Sequence, residues 1–173
     1  MKRIMVIGGP GSGKSTLARA LGDATGLPVY HMDHIHHLPG WVQRPTEERI
    51  AMATAVAERE KWIFEGGLSA TYEARSARAD LLIHLDLPVL VRLWRVAKRI
   101  WRYRGTVRPD MADGCPEDLH WDFIWWIIKT ARPNALRDRA LAATRADGTT
   151  VTLTSQREID RFLLRVRTKG LAA

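Results

Sequence analysis

A glycine-rich segment near the start of the chain has the spacing of a phosphate-binding loop. It reads Gly8-Gly-Pro-Gly-Ser-Gly13-Lys14-Ser15 and matches the Walker A pattern G-x-x-x-x-G-K-[ST]. Glycines permit positive φ and bring backbone N–H groups close to phosphate oxygens, and a following helix N-terminus attracts anions. The pattern therefore predicts a nucleoside triphosphate site. Its expected contacts are Gly8, Gly9, Pro10, Gly11, Ser12, Gly13, Lys14, Ser15 and Thr16.

Three side chains at the end of this loop have separate expected roles. Lys14 should reach the β- and γ-phosphates, the Ser15 hydroxyl should bind Mg²⁺, and Thr16 should add a phosphate contact. We therefore expect ATP and Mg²⁺ as the cofactors. A GTPase is disfavoured because the sequence contains no guanine-reading Asn-Lys-x-Asp segment.

Acidic residues follow the apolar runs that we predict as strands. The carboxyl ends of parallel strands meet at one edge of a sheet, so these acids should lie near the loop. Asp33 follows residues 29–32, and its resemblance to an acid of similar kinases with small hydroxyl-bearing substrates implies that it orients the acceptor, as general base, or helps to position Mg²⁺; a strand-end cap is the alternative. Residues 81–85 followed by Asp86 look like a Walker B strand, so Asp86 is expected either to hold Mg²⁺ through water or to cap a loop.

A run of basic residues with no intervening acid occupies residues 92–108. The pattern predicts a long helix with arginines on one side and Leu90, Trp94 and Trp101 on the opposite side. Such a segment suits a lid that neutralises a moving phosphoryl group, although a solvated basic face is the alternative. The basic residues are Arg92, Arg95, Lys98, Arg99, Arg102, Arg104 and Arg108; Arg132, Arg137 and Arg139 lie beyond and are candidates for one more phosphate contact.

Aromatic and histidine clusters are less specific. Trp121, Trp125 and Trp126 favour packing in the core and the lid, since Trp121 and Trp125 share a helix face. The histidines do not favour a metal site, because neither cysteine nor regular helical spacing accompanies them. They are His31, His34, His36 and His37, and Arg44, Arg75 and Arg78 are nearby candidates for holding an anionic acceptor.

The order of the apolar runs predicts the fold. Short runs at residues 4–7, 29–32, 62–64, 81–85 and 150–154 alternate with helical patterns, which is typical of a parallel sheet covered on both faces. We predict a three-layer α/β P-loop NTPase fold with a five-stranded parallel sheet and a helical basic lid. Residues 1–173 should form a single domain, with an acceptor-binding insert at about 34–60 and a lid at about 92–133, where Pro133 is expected to interrupt a helix.

Composition limits the partners and the compartment. The formal net charge of the 173 residues is +8, which favours an anionic partner such as a nucleotide, a phosphorylated metabolite or nucleic acid. Cys115 is the only cysteine, so no intrachain disulfide can form, as suits a cytoplasmic protein. The longest apolar stretch, residues 123–128, is too short to span a membrane. The sequence leaves the oligomeric state open.

Several stretches together resemble one group of proteins. They are residues 3–19, Asp33, Pro39-Gly40-Trp41, Leu85-Asp86-Leu87-Pro88 and residues 102–117. In these the chain resembles adenylate-kinase-like P-loop kinases, and more closely the bacterial DNA topology modulation proteins, over essentially its whole length. The resemblance implies that Arg95 and Arg99, seven and eleven residues after Pro88, contact phosphates. The chain departs from the group at Glu65-Gly66-Gly67-Leu68, where related proteins have Asp-Gly-Asn-Tyr, so the acceptor is left open.

These features favour a small kinase that transfers the γ-phosphoryl group of ATP to a nucleotide or a hydroxyl-bearing metabolite. Lys14, Arg95, Arg99 and Asp33 are the expected catalytic residues, and Ser15 and Asp86 are the expected metal ligands. One alternative is a nucleic-acid-associated P-loop NTPase that affects DNA topology, since Trp101 and Tyr103 interrupt the basic run and could stack bases. Another is a nucleotide-binding regulator without efficient transfer.

Overall fold

Seven short strands and seven α-helices make up the computed structural model of the chain, which describes residues 1–144 and 149–171. Two further single-turn helices, Pro39–Trp41 and Ser69–Thr71, lie in connections. In chain order the elements are β1 (Arg3–Gly8), α1 (Lys14–Thr25), β2 (Val29–His31), α2 (Met32–His36), β3 (His37–Leu38), β4 (Val42–Gln43), α3 (Thr46–Ala57), β5 (Trp62–Glu65), α4 (Tyr72–Arg78), β6 (Leu81–Leu85), α5 (Val89–Tyr103), α6 (Trp121–Thr144), β7 (Thr150–Leu153) and α7 (Gln156–Lys169).

Five of the strands form one parallel sheet in the order β2-β5-β1-β6-β7. Every side chain of β5 and β6 is buried, as is the middle of β1, and strands buried on both faces are typical of parallel sheets. In the β1–β5 pair, Val6 lies opposite Glu65. This register places the carboxyl end of β5 directly beside the start of the glycine-rich loop.

The two faces of the sheet bury separate cores. Alternate residues of β1 point to opposite faces, as the two-residue period of a strand requires. Ile4 and Val6 join the core formed with α1 and α7, whereas Met5 and Ile7 join the core that includes α3, α4 and the end of α6. The prediction of a three-layer α/β fold with a five-stranded parallel sheet and helices on both faces is confirmed.

The insert after β2 begins earlier than the sequence predicts. We expected the strand to continue to residue 32, with Asp33 directly after it, but β2 ends at His31 and α2 follows. Met32 and Ile35, three residues apart, both lie buried in the second core, and only a helical turn can direct both of them inward. Asp33 therefore lies in the first turn of a short helix, and β3 and β4 follow as an antiparallel pair.

The face of α5 that packs inward differs from the prediction. Its buried residues are Arg92, Val96 and Ile100, while Leu90 and Trp101 are 76% and 83% exposed. The predicted apolar side is therefore wrong. Val96 and Ile100 instead pack against α6, and the guanidinium and backbone carbonyl of Arg92 lie against Gly9 and Gly11 of the glycine-rich loop.

Helix α6 is continuous through Pro133, contrary to the predicted interruption. Packing fixes the helix on either side of the proline, because Ile127 contacts α5 and Leu141 contacts the second core. The expected burial of the tryptophans is also wrong: Trp121 and Trp125 are exposed, since Phe123, Ile124 and Ile127 occupy the face toward α5. Within the described residues, no helix combines the length and the apolar character that crossing a membrane demands.

Candidate functional site

The glycine-rich loop leaves β1 and turns directly into α1. Gly8, Gly11 and Gly13 all have positive φ, of 142°, 76° and 97°, which other residues rarely adopt. The loop closes with a hydrogen bond from the Ser12 N–H to the Gly9 carbonyl oxygen at 3.2 Å. Lys14 Nζ donates to the same Gly9 oxygen at 3.1 Å. The loop therefore has the backbone conformation that lets consecutive N–H groups surround an anion.

The carboxylate beside Ser15 belongs to Glu65, at the end of β5. Ser15 Oγ donates to Glu65 Oε1 at 3.0 Å, and His31 Nδ1 lies 2.8 Å from the same oxygen. Burial alone raises the pKa of Glu65, but the hydrogen bond from His31 and the charge of Lys14 hold it below its ordinary value. Glu65 is thus an ionised carboxylate in contact with the hydroxyl at the end of the loop.

Asp86 has a different partner. Its carboxylate accepts a hydrogen bond from Arg139 Nε on α6 at 2.7 Å, and its backbone N–H donates to the carbonyl of Leu153 at 2.9 Å. It lines a cavity that also borders Gly9. Asp86, which the sequence analysis considered for Mg²⁺, is thus paired with Arg139, whereas the carboxylate in contact with Ser15 is that of Glu65, at the end of the other strand beside β1.

Asp33 faces the site from α2. Its carboxylate lies 3.8 Å from a guanidinium nitrogen of Arg108, and 40% of its side chain stays accessible. Even so, burial and the charge of Glu65 raise the pKa of Asp33 above its ordinary value, and the opposing charges of Arg108 and Lys14 do not compensate. The residue therefore has a stronger affinity for a proton than an ordinary aspartate.

Helix α5 lies along the glycine-rich loop and places three arginines near it. Arg95 donates to the Ser12 carbonyl oxygen at 3.1 Å. The guanidinium of Arg92, which the sequence reading did not single out, occupies the space where a side chain on Gly9 would lie. Arg99 is paired with Glu117, its Nε lying 2.9 Å from the carboxylate. Of the two arginines suggested by resemblance, only Arg95 contacts the loop in this conformation.

The connection between α5 and α6, residues 105–117, folds back over the site; we call it the closing segment. Arg108, Asp110 and Glu117 are buried in it, with Arg108 2.6 Å from Glu117 and 3.0 Å from Asp110. Asp110 also pairs with Arg19 of α1 at 2.7 Å. Burial alone raises the pKa of Asp110, but Arg108 and Arg19 hold it below its ordinary value.

The closing segment is also bound to the insert. The Gly40 N–H donates to the Gly114 carbonyl at 2.9 Å, and Trp41 Nε1 donates to the Pro116 carbonyl at 3.0 Å. Cys115 is buried beneath this contact. The predicted lid is therefore docked onto both the insert and α1.

The histidines of the insert have protein partners. In addition to the contact of His31 with Glu65, His36 Nε2 lies 2.9 Å from the Gly67 carbonyl and its Nδ1 lies 3.1 Å from Arg49. Among the candidate acceptor arginines, Arg75 is fully buried and donates to the carbonyls of Phe64 and Gly66. Arg75 therefore stabilises the turn after β5, a role that the sequence did not suggest.

Solved structures of similar fold are small kinases. Shikimate kinase from Acinetobacter baumannii, in complex with shikimate, matches with a TM-score of 0.60 and 17% identity over 100% of this chain and 96% of that one. A sugar kinase from Janibacter sp. HTCC2649 matches with a TM-score of 0.56 and 18% identity, over 98% of this chain and 96% of that one. A gluconokinase from Sinorhizobium meliloti 1021 matches with a TM-score of 0.51 and 17% identity, over 96% of this chain and 93% of that one. The fold is that of small P-loop kinases. No protein-family model matches the sequence, and no curated protein matches it.

We expect Gly11→Ala to destabilise the protein more than Gly40→Ala. Both glycines have nearly the same φ, 76° and 78°, so both substitutions carry the same backbone strain. A Cβ at position 11 would overlap the backbone carbonyl of Arg92, whereas nothing lies within 4 Å of one at position 40. Urea unfolding should show a further loss of about 1–3 kcal/mol for Gly11→Ala. Equal losses would contradict the close approach of α5 to the loop.

We expect Asp33→Asn to stabilise the fold at neutral pH. An acid with a raised pKa contributes most to stability below its ordinary value of 3.8, and that contribution is lost as the pH rises through the raised value. The amide cannot ionise, so its advantage over Asp33 should be clear at pH 7 and disappear below pH 3.8. Urea midpoints across this range measure the effect. Asp23→Asn, on the exposed surface of α1, is the control and should change the midpoint little at any pH.

Proposed function

We propose that the protein is an ATP-dependent kinase that transfers the γ-phosphoryl group to a small hydroxyl-bearing metabolite or nucleotide. The observation that carries this proposal is the contact of Ser15 with the ionised Glu65, directly below the glycine-rich loop and Lys14. Phosphoryl transfer depends on positioning and charge neutralisation rather than on covalent chemistry by the protein. This arrangement suits that task, because it combines a phosphate-binding loop with an ammonium group, a hydroxyl and a carboxylate.

The proposed nucleotide contacts follow from the loop. The backbone N–H groups of residues 8–16 hold the phosphates, and Lys14 exchanges its bond to the Gly9 carbonyl for the β- and γ-phosphates. Arg95 lies at the Ser12 carbonyl and adds positive charge there. Arg99 reaches the phosphoryl group only after leaving Glu117, which links its role to movement of the closing segment.

The proposed magnesium site is Ser15 with Glu65. Mg²⁺ prefers oxygen ligands and is usually held by one or two carboxylates together with water and phosphate oxygens. The Ser15 hydroxyl and the ionised Glu65 meet that preference, while Asp86 is neutralised by Arg139. Bound Mg²⁺ would supply positive charge against the phosphates.

Asp33 is the proposed residue that orients the acceptor hydroxyl and accepts its proton. Its raised pKa supports this role, because a stronger base takes a proton more readily at neutral pH. The similarity in fold to shikimate kinase and gluconokinase supports a small hydroxylated acceptor. The proposal also includes the closer resemblance to DNA topology modulation proteins. It includes a cytoplasmic location as well, which the single cysteine, Cys115, suggests.

The direct test is ATP-dependent phosphorylation of a panel of nucleoside monophosphates and small hydroxylated metabolites, including shikimate and gluconate. ADP release and the phosphorylated product are both measured. Lys14→Ala should reduce transfer by a factor of about 10³ or more, because charge stabilisation of the phosphoryl group is lost. The control is Lys61→Ala on the exposed surface, which should transfer normally. Full activity of Lys14→Ala, or no acceptor in the panel, would count against the kinase.

We expect Glu65→Gln to weaken Mg²⁺ binding while leaving the fold intact. The amide keeps the size of the side chain and an acceptor for Ser15, but it removes the negative charge. The Mg²⁺ concentration that gives half-maximal ATP binding should rise about 10–100-fold. Glu60→Gln is the matched control, since that carboxylate is exposed and forms an ion pair with Lys2 on the surface. An unchanged Mg²⁺ requirement for Glu65→Gln would remove Glu65 from the site.

A nucleic-acid-associated NTPase is the second candidate, and exposed aromatic side chains favour it. Trp94 is 62% exposed and Trp101 83%, and the Lys98 ammonium lies 5.2 Å from the centre of the Trp94 ring. Arg102 is exposed beside them. Proteins that bind single strands combine aromatic stacking surfaces with basic residues in this way.

Binding to a single-stranded oligonucleotide tests this candidate. If it is right, Trp101→Ala should weaken binding by about 1–3 kcal/mol through lost stacking, and affinity should fall steeply between about 50 and 200 mM salt. Leu164→Ala is the control, because that exposed residue lies on α7. No detectable binding at about 50 mM salt would eliminate the candidate.

A further inference from the structure

A cavity of about 560 Å³ lies between the carboxyl end of β6, the start of α5 and the middle of α6. Its volume falls within the range of small-molecule sites, about 300–1,000 Å³. One wall is Gly9 of the glycine-rich loop, the residue whose carbonyl oxygen binds Lys14. Its polar lining is His84, Asp86, Arg92, Arg132, Asn134, Asp138 and Arg139. The cavity therefore opens beside the residues that would hold the transferred phosphoryl group.

The charges around the cavity leave two arginines available. Asp86 is paired with Arg139 at 2.7 Å, and Asp138 is paired with Arg137 at 2.9 Å. By contrast, in residues 1–144 and 149–171 neither Arg92 nor Arg132 makes a side-chain hydrogen bond or a close ion pair. Arg92 is only 6% exposed, and the charges of Asp86 and Asp138 act on its guanidinium without making a hydrogen bond to it. An anionic group in the cavity would satisfy both arginines.

A buried histidine adds a second unsatisfied group. His84 is 2% exposed and lines the cavity, and its Nδ1 makes no hydrogen bond with the described residues. Burial lowers the pKa of His84 in spite of the charges of Asp86 and Asp138, so the ring is neutral at pH 7. Its Nδ1 has almost no accessible surface, so protein atoms cover that nitrogen and it does not open into the cavity. His84 therefore contributes an uncharged ring to the wall beside the two arginines.

We propose that this cavity binds the negatively charged group of the phosphoryl acceptor, which is a hydroxylated organic anion. A carboxylate or phosphate monoester of that molecule binds Arg92 and Arg132. Lys14 contacts Gly9 on the cavity wall, and its charge also acts on Asp33. The inference rests on the proposed kinase function, because only a kinase has a phosphoryl acceptor. Binding of the anion, however, can be measured without turnover.

The test is calorimetric binding to the full chain saturated with Mg²⁺ and a non-hydrolysable ATP analogue. Two matched pairs of probes are used: gluconate against sorbitol, and glycerol 3-phosphate against glycerol. At least one anion should bind about tenfold or more tightly than its neutral partner, and the two pairs distinguish a carboxylate from a phosphate ester. Arg132→Met should weaken binding of that anion by about tenfold, whereas Lys129→Met, on the exposed part of the same helix, should not.

Arg92→Lys is the second variant, because loss of Arg92 altogether could disturb the loop that it contacts. It keeps the charge but removes the forked donor group, and it should also weaken anion binding. The proposal is overturned if neither anion binds the wild-type chain, if the neutral partners bind equally well, or if Arg132→Met binds as the wild type does.

Failure of the kinase proposal gives a different result. In that case the anion binds and Arg132→Met weakens it, but no compound is phosphorylated. Conversely, phosphorylation of sorbitol or glycerol that Arg132→Met leaves unchanged would support the kinase and overturn the cavity as the acceptor site.

Discussion

The parallel pairing of β1 with β5 is the constraint on which the site depends. Val6 lies opposite Glu65, so β5 ends beside β1 at the usual strand spacing of about 4.8 Å. The glycine-rich loop begins two residues later, at Gly8. The loop then turns back into α1, where Ser15 Oγ donates a hydrogen bond to Glu65 Oε1 at 3.0 Å. A shift of either strand by one residue would send the Glu65 side chain to the opposite face of the sheet. Buried apolar side chains on both faces of these strands hold the register.

Positive charge around the loop is balanced by two acids of the closing segment. Arg99 and Arg108 share Glu117, while Arg19 and Arg108 share Asp110. Burying such groups costs free energy unless each is well paired, and removing one partner would leave an uncompensated charge. The closing segment, which supplies both acids, therefore holds the lid arginines in place. This explains why a chain with a net charge of +8 can place so many arginines beside one another.

The sequence was sufficient for the loop and the layers but not for the order of the strands. Glycine spacing and the apolar run before it predicted the loop, and five short apolar runs predicted the sheet. Even that order leaves two candidates for the acid that meets Ser15, because Glu65 and Asp86 lie at the ends of the two strands that flank β1; the structure pairs Ser15 with Glu65 and Asp86 with Arg139. The face of α5 was misjudged for a related reason. Arg92 is buried with its guanidinium at Gly9 and its backbone at Gly11, so its position is invisible to a count of apolar residues.

The closing segment connects the two halves of the site. Its Asp110 lies close enough to Ser15 for that hydroxyl to help keep the carboxylate ionised, so both Asp110 and Glu65 direct negative charge at the same residue. Two carboxylates near one hydroxyl repel each other, and a cation between them would relieve that repulsion. The same segment is hydrogen-bonded to Gly40 and Trp41 of the insert. One short connection therefore contacts both the end of the glycine-rich loop and the insert.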